Sequence, residues 1–317
     1  MPQLTPSQAR VINPVLTTIA QGIKQRDLIG NWLFPKVDVA MRGGQIITFG
    51  REAFMQYTGL QRAPGTATSR VQFGYAAGSY TLLDFSLEGK LPIELEQESR
   101  TDANGFSIDG AEMALRLPTR IMDLRLEIAQ ATLATTLANY PVANRITLSG
   151  TSQFSDYANS NPLQVIETGK EAIRAQTGQQ PTVGVLGPTV WSQLKYHPDL
   201  VEYTKYTGRE VATLPILSDL TGIPNWYVGN GVTSNDAGTT LSDVWGKDII
   251  LAYSDTETLD AYGAPTFGYT YNLNGYPFAE DPYYDRNQKS QIFPVTRCEA
   301  PVIAGSSAGY LIKSAVA

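Results

Sequence analysis

The sequence has very little of the chemistry that most enzyme and metal sites need. Its 317 residues include one histidine and one cysteine, which excludes an intrachain disulfide and a zinc site of the common kind. The thiol of Cys298 is expected to be buried and unreactive. No Gly-x-x-x-x-Gly-Lys-Ser/Thr loop and no Gly-x-Gly-x-x-Gly after a strand is present, so the sequence predicts no cofactor.

Long apolar runs and long charged runs are also absent. No stretch approaches the ~18 uninterrupted apolar residues of a membrane helix, and the N-terminal residues lack the apolar core of a signal peptide. Lys and Arg number 24 against 30 Asp and Glu, a formal net charge of −6, with no run of five like charges. We therefore expect no membrane partner and only non-specific contact with nucleic acid.

One motif keeps a hydrolase open as an alternative. Gly305–Gly309 matches the Gly-x-Ser-x-Gly nucleophile pattern, with Ser307 at its centre. That mechanism needs a histidine after the serine in chain order, but His197 precedes Ser307. A turn of small residues is the favoured interpretation of Gly305–Gly309. His197 stands immediately before Pro198, so it is expected to end a helix. Its charge or its ring would make a contact at that helix end.

The densest acidic group is formed by Glu280, Asp281 and Asp285, which could in principle hold a divalent ion. The ordered ligand spacing of a calcium loop is missing, so a solvated turn is favoured. The sequence therefore predicts no catalytic residue and no metal ligand. With 42% hydrophobic residues the chain can still bury a sizeable core, so its function is expected to lie in its surfaces.

The first part of the chain reads as an arm followed by a strand-rich excursion. Val15, Leu16, Ile19 and Ile23 have helical spacing, and an apolar stretch around Trp32 and Phe34 follows. Strands are predicted around a turn at 42–44, over 69–75 and over 79–87. An isolated two-stranded ribbon is marginal in water, so we expect this excursion to pack on a partner subunit.

A long helix is predicted over 109–139, with a possible kink or restart at Pro118 and a limit at Pro141. Its apolar residues form two adjoining stripes, so most of its circumference needs to be covered. Arg120, Asp123 and Glu127 fill the remaining face at ion-pair spacing. The first stripe contains Leu117, Ile121, Leu124 and Ile128, and the second contains Met122, Leu126, Ala129, Leu133 and Leu137.

From Asn161 onward helices and strands alternate, which predicts a compact α/β unit. Its first helix has Asn161 as its cap and Pro162 at its first position, and it ends before Gly178. Further elements are a helix over 188–196, strands over 182–186, 225–228 and 248–253, and a surface loop over 229–240.

After residue 263 the pattern is β again, with strands over 266–273, 289–295 and 302–312. Six tyrosines between positions 262 and 284 are expected to lie either in the core or at an interface.

The order of these elements resembles the Hong Kong 97-type capsid fold of tailed bacteriophages, an α+β fold. Local stretches resemble the same family, and they include residues of the arm, of the excursion and of the α/β unit. These stretches are Asn13-Pro14-Val15-Leu16, Asp27-Leu28-Ile29-Gly30, Leu33-Phe34-Pro35-Lys36-Val37, Gly50-Arg51-Glu52-Ala53-Phe54, and Leu186–Tyr206 with His197-Pro198-Asp199-Leu200.

The resemblance implies a domain organisation. Residues 1–36 would be an N-arm and 37–92 an extended β-hairpin, the E-loop. Residues 93–160 would belong to a peripheral domain with the spine helix at 109–139, and 161–262 to an axial domain. Residues 263–317 would return to the peripheral sheet.

The resemblance also implies a function without catalysis or cofactors. Copies of the chain would assemble into hexamers and pentamers of an icosahedral head shell around double-stranded DNA, as a virion protein assembled in the host cytoplasm. Scaffolding, portal and decoration proteins are possible further partners. Expected inter-subunit contacts are Trp32, Phe34, Arg51, Arg62 and Arg70. An encapsulin-like shell around an enzyme cargo is the alternative.

Overall fold

The computed structural model describes residues 28–48, 76–96, 110–204, 211–234, 238–254 and 266–317 and shows an α+β fold. The helices are α1 (Gly30–Leu33), α2 (Gly110–Thr135), α3 (Pro162–Thr177), α4 (Pro188–Leu194), α5 (Pro198–Thr204) and α6 (Leu214–Thr221). The strands of the first half are β1 (Lys36–Val39), β2 (Gly43–Thr48), β3 (Ala76–Thr81), β4 (Leu83–Pro92), β5 (Arg145–Thr147) and β6 (Val183–Leu186). Those of the second half are β7 (Asn225–Val228), β8 (Val232–Ser234), β9 (Leu241–Asp243), β10 (Ile249–Ala252), β11 (Gly268–Leu273), β12 (Phe278–Ala279), β13 (Tyr283–Asp285), β14 (Ser290–Ile303) and β15 (Gly309–Lys313).

The first sheet, which we call the peripheral sheet, is built around β14. Strands β11, β12 and β13 pair with β14, β4 pairs with it over ten residues, and β1 joins the far side of β11. The chain bends at 40–42, earlier than the predicted turn at 42–44, because Gly43 and Gly44 already belong to β2. The strands on either side of the bend do not pair with each other. Strand β1 runs parallel to β11, with Lys36 opposite Thr270, and β2 pairs with β3, with Gly43 opposite Thr81.

Strand β14 corrects the predicted pattern at the C-terminal end. Two separate strands were expected over 289–295 and 302–312, separated by turns of Asn, Gly and Pro. Pro294 and Pro301 each lack a backbone N–H and cannot donate to the pairing. The structure instead has one 14-residue strand that contains both prolines. Each proline interrupts the pairing locally, but the neighbouring strands continue it, with Pro294 opposite Glu88 and Pro301 opposite Thr270.

The second sheet has the order β5-β15-β10-β6-β7 and forms the centre of the α/β unit. Every residue of β6 and β10 is buried, as expected for central strands that are covered on both faces. Helix α3 forms as predicted: the side chain of Asn161 accepts the N–H of Gln164 at 3.0 Å, Pro162 stands at the first helical position, and Gly178 has the left-handed φ of 69°.

Two boundaries differ from the sequence expectation. Strand β15 pairs with β10 and β5 in the second sheet, so residues 309–313 do not return to the peripheral sheet as a boundary at 262/263 implies. The span 229–240 contributes β8, which pairs with β9 in a short hairpin, where a plain surface loop was expected. The pairings of β15 join segments that lie far apart in the chain, so the local sequence pattern did not predict them.

The spine helix is α2, and it runs through Pro118 without a break. Its C-terminal end is defined by side chains that take over the free carbonyls. Asn139 Nδ2 donates to Leu133 O at 2.8 Å, and Tyr140 Oη donates to Ala134 O at 2.7 Å. The helix therefore ends earlier than the predicted residue 139, with a 3-10 turn at Leu137–Asn139.

The spine helix contacts both sheets. Its first half buries Leu115 and Met122 against Phe293 and Val295 of β14. Its second half lies in another cluster, where Ala131 and Ala134 pack with the arm residues and with one face of the second sheet. The opposite face of the second sheet is covered by α3, α4 and α6. The spine helix is thus the element that joins the two halves of the subunit.

The polar face predicted for the spine helix is only partly solvated. Arg120 is exposed, but Asp123 and Glu127 turn inward. Asp123 Oδ1 accepts from Arg297 Nη1 at 2.6 Å, and the side chains are 15% and 5% exposed. The ion pair therefore holds the spine helix to β14, a role that ion-pair spacing within one helix did not predict.

We expect Asp123→Ala to lower the free energy of unfolding by about 3–5 kcal/mol, because it leaves the guanidinium of Arg297 buried without its nearest acid. Glu112→Ala is the matched control on the same helix. Its pair with Arg116 is 39% and 53% exposed, so we expect a cost below about 1 kcal/mol. Urea unfolding of the two variants measures the difference, and equal costs would contradict a structural role for the buried pair.

Candidate inter-subunit surfaces

The most prominent apolar surface lies on the spine helix. Met113, Leu117 and Ile121 follow each other at four-residue spacing and are 58%, 64% and 49% exposed. We call these three residues the ridge. Leu115 and Met122 on the other side of the helix are buried. The ridge thus contains two residues of the first predicted stripe, and within the described chain it is left uncovered.

A second surface is centred on Trp32 in α1. The Trp32 ring stacks on Tyr227 of the edge strand β7, with ring centroids 4.9 Å apart and planes 11° apart, yet it remains 44% exposed. Phe34 is fully buried against Phe267, and its ring fills the space beside Gly268. This placement corrects the expectation for Phe34, because its own subunit already encloses the ring. For Trp32 a contact with another subunit remains a prediction.

A third surface is the hairpin formed by β2 and β3, which corresponds to the base of the predicted E-loop. It is fixed to the peripheral sheet by Tyr80, which stacks on Tyr271 with centroids 4.4 Å apart, and by an ion pair between Arg42 and Asp84. Gly44 lies under the Tyr80 ring, where a Cβ would approach the ring to 2.8 Å. The predicted contacts Arg51, Arg62 and Arg70 and the predicted strand 69–75 lie outside the described residues.

The exposed tyrosines form a further candidate surface. On the α/β unit, Tyr196 and Tyr203 are 53% and 61% exposed, and the ammonium of Lys195 lies 4.9 Å from the Tyr196 ring centroid. Among the tyrosines predicted as core or interface, Tyr276 is buried, whereas Tyr283 and Tyr284 are each 48% exposed. Amphipathic rings of this kind are enriched in interfaces.

The residues of the hydrolase alternative are not arranged for catalysis. Ser307 lies in a 3-10 turn, Ser306–Ala308, between two strands, whereas a nucleophile elbow joins a strand to a helix. His197 is fully buried, and its Nε2 lies 3.0 Å from Ser160 Oγ. Burial lowers the pKa of His197, while the nearby carboxylate of Asp199 acts in the opposite direction. His197 thus lies at the junction of α4 and α5 and contacts Ser160, not Ser307.

The described residues also contain no group of three or more His, Cys, Asp or Glu side chains that could hold a metal ion. The acidic residues 280, 281 and 285 therefore do not converge on a site. In the same part of the chain, no helix is both long enough and apolar enough to cross a membrane.

Comparison with known proteins shows which protein family the chain belongs to. Residues 135–297 match the family model described as phage major capsid protein E. The major capsid protein of Burkholderia phage BcepMu is 33% identical over 310 residues, which cover 96% of this chain and 97% of that protein. The chain belongs to this family. It is a phage major capsid protein and a component of the virion shell.

Solved structures agree with this assignment. A phage-related protein from Bordetella bronchiseptica RB50 is 38% identical, with a TM-score of 0.82 over 97% of this chain and 98% of that one. The capsid of cyanophage P-SCSP1u has a TM-score of 0.58 at 9% identity, covering 92% of this chain and 89% of that one. The encapsulin SrpI of Synechococcus elongatus has a TM-score of 0.53 at 11% identity, covering 92% and 90%. The last two likenesses show the fold alone, which is the capsid fold predicted from the sequence.

Proposed function

We propose that copies of this capsid protein join through the ridge, the Trp32 surface and the β2–β3 hairpin into hexamers and pentamers, which close into an icosahedral head shell around double-stranded DNA. The observation that carries the proposal is the ridge, because three large apolar side chains lie in a row on the longest described helix without a partner. Exposed apolar surface of this kind marks protein–protein contacts.

The hairpin supports the same proposal. Strands β2 and β3 pair only with each other in the described chain, and a two-stranded ribbon gains little stability on its own. A neighbouring subunit would supply the missing cover. In a closed ring each contact joins two different patches of identical subunits, so the ridge of one subunit would meet an element of the next.

The finer partners also belong to this proposal. Scaffolding, portal and decoration proteins would help to build the head in the host cytoplasm, and DNA would be enclosed by non-specific contact. The net charge of −6 supports the last point, because a strongly positive inner wall would retain packaged DNA. The role is structural and involves no catalytic residue of this chain.

Electron microscopy of the protein expressed alone and concentrated tests the proposal. We expect closed shells, tubes or capsomer rings, because contacts between different patches of identical subunits close into rings when the rotation between neighbours allows it. If only single subunits are seen, proteins from a phage lysate are added to supply a scaffold, and persistent single subunits would then contradict self-assembly. The content of the particles separates a DNA-filled head from an encapsulin-like shell with enzyme cargo.

A further inference from the structure

A buried carboxylate lies where three parts of the subunit meet. Glu127 of the spine helix is 1% exposed. Its Oε1 accepts the backbone N–H of Ile29 at 3.0 Å and the indole N–H of Trp245 at 2.6 Å, and its Oε2 accepts the N–H of Gly30 at 2.8 Å. One side chain thus connects the spine helix, the start of the described arm and the loop between β9 and β10 of the α/β unit.

The surroundings of Glu127 leave little freedom at this junction. Gln130, on the next turn of the helix, donates from Nε2 to Asn31 Oδ1 at 3.2 Å and to Thr270 Oγ1 at 2.9 Å. At Gly30 a Cβ would fall on Gln130 Oε1 and within 2.7 Å of Glu127 Oε2. A side chain at position 30 would therefore displace the ends of Gln130 and Glu127 from their present positions.

We propose that Glu127 is a latch that fixes the first described residues of the arm and the Trp245 segment to the spine helix, so that the three elements move as one unit. The reason is geometric, because two neighbouring backbone N–H groups of the arm and the indole N–H of Trp245, which lies far along the chain, converge on one carboxylate of the spine helix. When one donor is withdrawn, the carboxylate loses part of what positions it for the other two.

The latch is sensitive to pH. Burial raises the pKa of Glu127 above its usual value of 4.5, while the N–H groups of Ile29, Trp245 and Gly30 act in the opposite direction. Among the described residues no charged side chain contributes to this shift. The carboxyl group of Glu127 thus binds its proton more tightly when the junction is closed than when it is open and the carboxylate is solvated. Protonation therefore contributes to the stability of the closed junction, and this contribution is lost as the pH rises from 4.5 through the raised pKa.

Hydrogen exchange of the isolated subunit, read by mass spectrometry on peptides that cover residues 28–34, tests the latch. In Glu127→Gln the amide retains one acceptor oxygen but turns an NH₂ group toward a backbone N–H, which leaves buried donors unpaired. We expect the amides of Ile29 and Gly30 to exchange about tenfold faster at a fixed pH. Relative to intrinsic rates, their protection should also lose the pH dependence that the wild-type junction shows.

The coupling is tested separately by Trp245→Phe, which keeps an aromatic ring in the core and removes the indole donor. We expect faster exchange at Ile29 and Gly30, although the substitution lies on the α/β unit. Glu112→Gln, an exposed acid on the same helix, is the control and should change neither amide. Unchanged exchange at Ile29 and Gly30 in Trp245→Phe, or an equal effect of Glu112→Gln, would overturn the proposal. These measurements use unassembled subunits, so their outcome is independent of whether shells form.

Discussion

Replacing Leu117 and Ile121 together by serine should prevent shell assembly while the subunit stays folded. A fully buried leucine or isoleucine side chain contributes about 1.5–3 kcal/mol to a contact. Because only 64% and 49% of these side chains are left to be buried, removing both should weaken each ridge contact by about 2–3 kcal/mol, which is about 30- to 150-fold in affinity. The covered parts of the two side chains also contribute to the subunit, so its free energy of unfolding should fall by about 1–3 kcal/mol, which leaves the subunit folded.

The control for this experiment is Val142→Ser. Val142 is 78% exposed and lies in a 3-10 turn away from the ridge, so its loss changes surface hydrophobicity without touching the proposed contact. Electron microscopy and sedimentation would compare particle yields, and urea unfolding would verify the fold. Wild-type yields of shells from the Leu117→Ser/Ile121→Ser variant would show that the ridge is not an inter-subunit contact.

Phe34→Ala should lower the free energy of unfolding of the subunit itself by about 3–5 kcal/mol. The Phe34 ring is fully buried and lies 5.5 Å from the Phe267 ring, centroid to centroid. Alanine would leave a cavity between the arm, the spine helix and the second sheet, since all three contribute to this cluster. Urea unfolding of the isolated subunit measures the loss.

Trp32→Ala, only two positions away, should behave in the opposite manner. Trp32 loses its stack on Tyr227, an aromatic pair of the kind worth about 0.5–1.5 kcal/mol beyond area burial, so unfolding should change much less than in Phe34→Ala. If the exposed half of the Trp32 ring contacts another subunit, assembly should decline although the fold is retained. A loss of stability as large as that of Phe34→Ala, or normal assembly, would contradict this assignment.

Local signals explain which elements were predictable. Helix α3 begins and ends where Asn161, Pro162 and Gly178 place it, because caps act on hydrogen bonds within a few residues. Strand β7 has the predicted bounds, β6 begins one residue later than predicted, and β10 is shorter by one residue at each end. Such short buried strands are marked by continuous apolar runs between turn residues.

Pairing between distant segments was not predictable in the same way. The strand β1 has the alternating pattern of any half-buried strand, and nothing in that pattern indicates that its partner is β11, so far along the chain. Two strands separated by a turn were expected over 289–312, but the strands on both sides of β14 keep Ser290–Ile303 continuous through Pro301. Pairing depends on which surfaces the whole fold brings together, as context does for strand propensity in general.

For the candidate surfaces, too, local patterns were predictable and contacts between distant segments were not. The periodicity of the sequence showed the first apolar stripe of the spine helix. It did not show that Leu117 and Ile121 of this stripe are exposed, whereas Met122 of the second stripe is buried in the core. Glu127 was assigned to a solvated face, since an acid between apolar neighbours gives no local sign of its partners. Those partners, Ile29, Gly30 and Trp245, are backbone and indole donors from remote segments.

By itself, the sequence determined the absence of a common catalytic or metal-binding set of residues, the α/β unit with its caps, the long helix, and the resemblance to a capsid fold. Each of these depends on composition or on interactions within a few positions. Only the tertiary structure decided that Phe34 is enclosed while Trp32 is open, that β15 joins the second sheet, and that Glu127 connects three elements. The physical reason is that burial and hydrogen-bond partners are set by contacts between segments far apart in the chain, which no local pattern specifies.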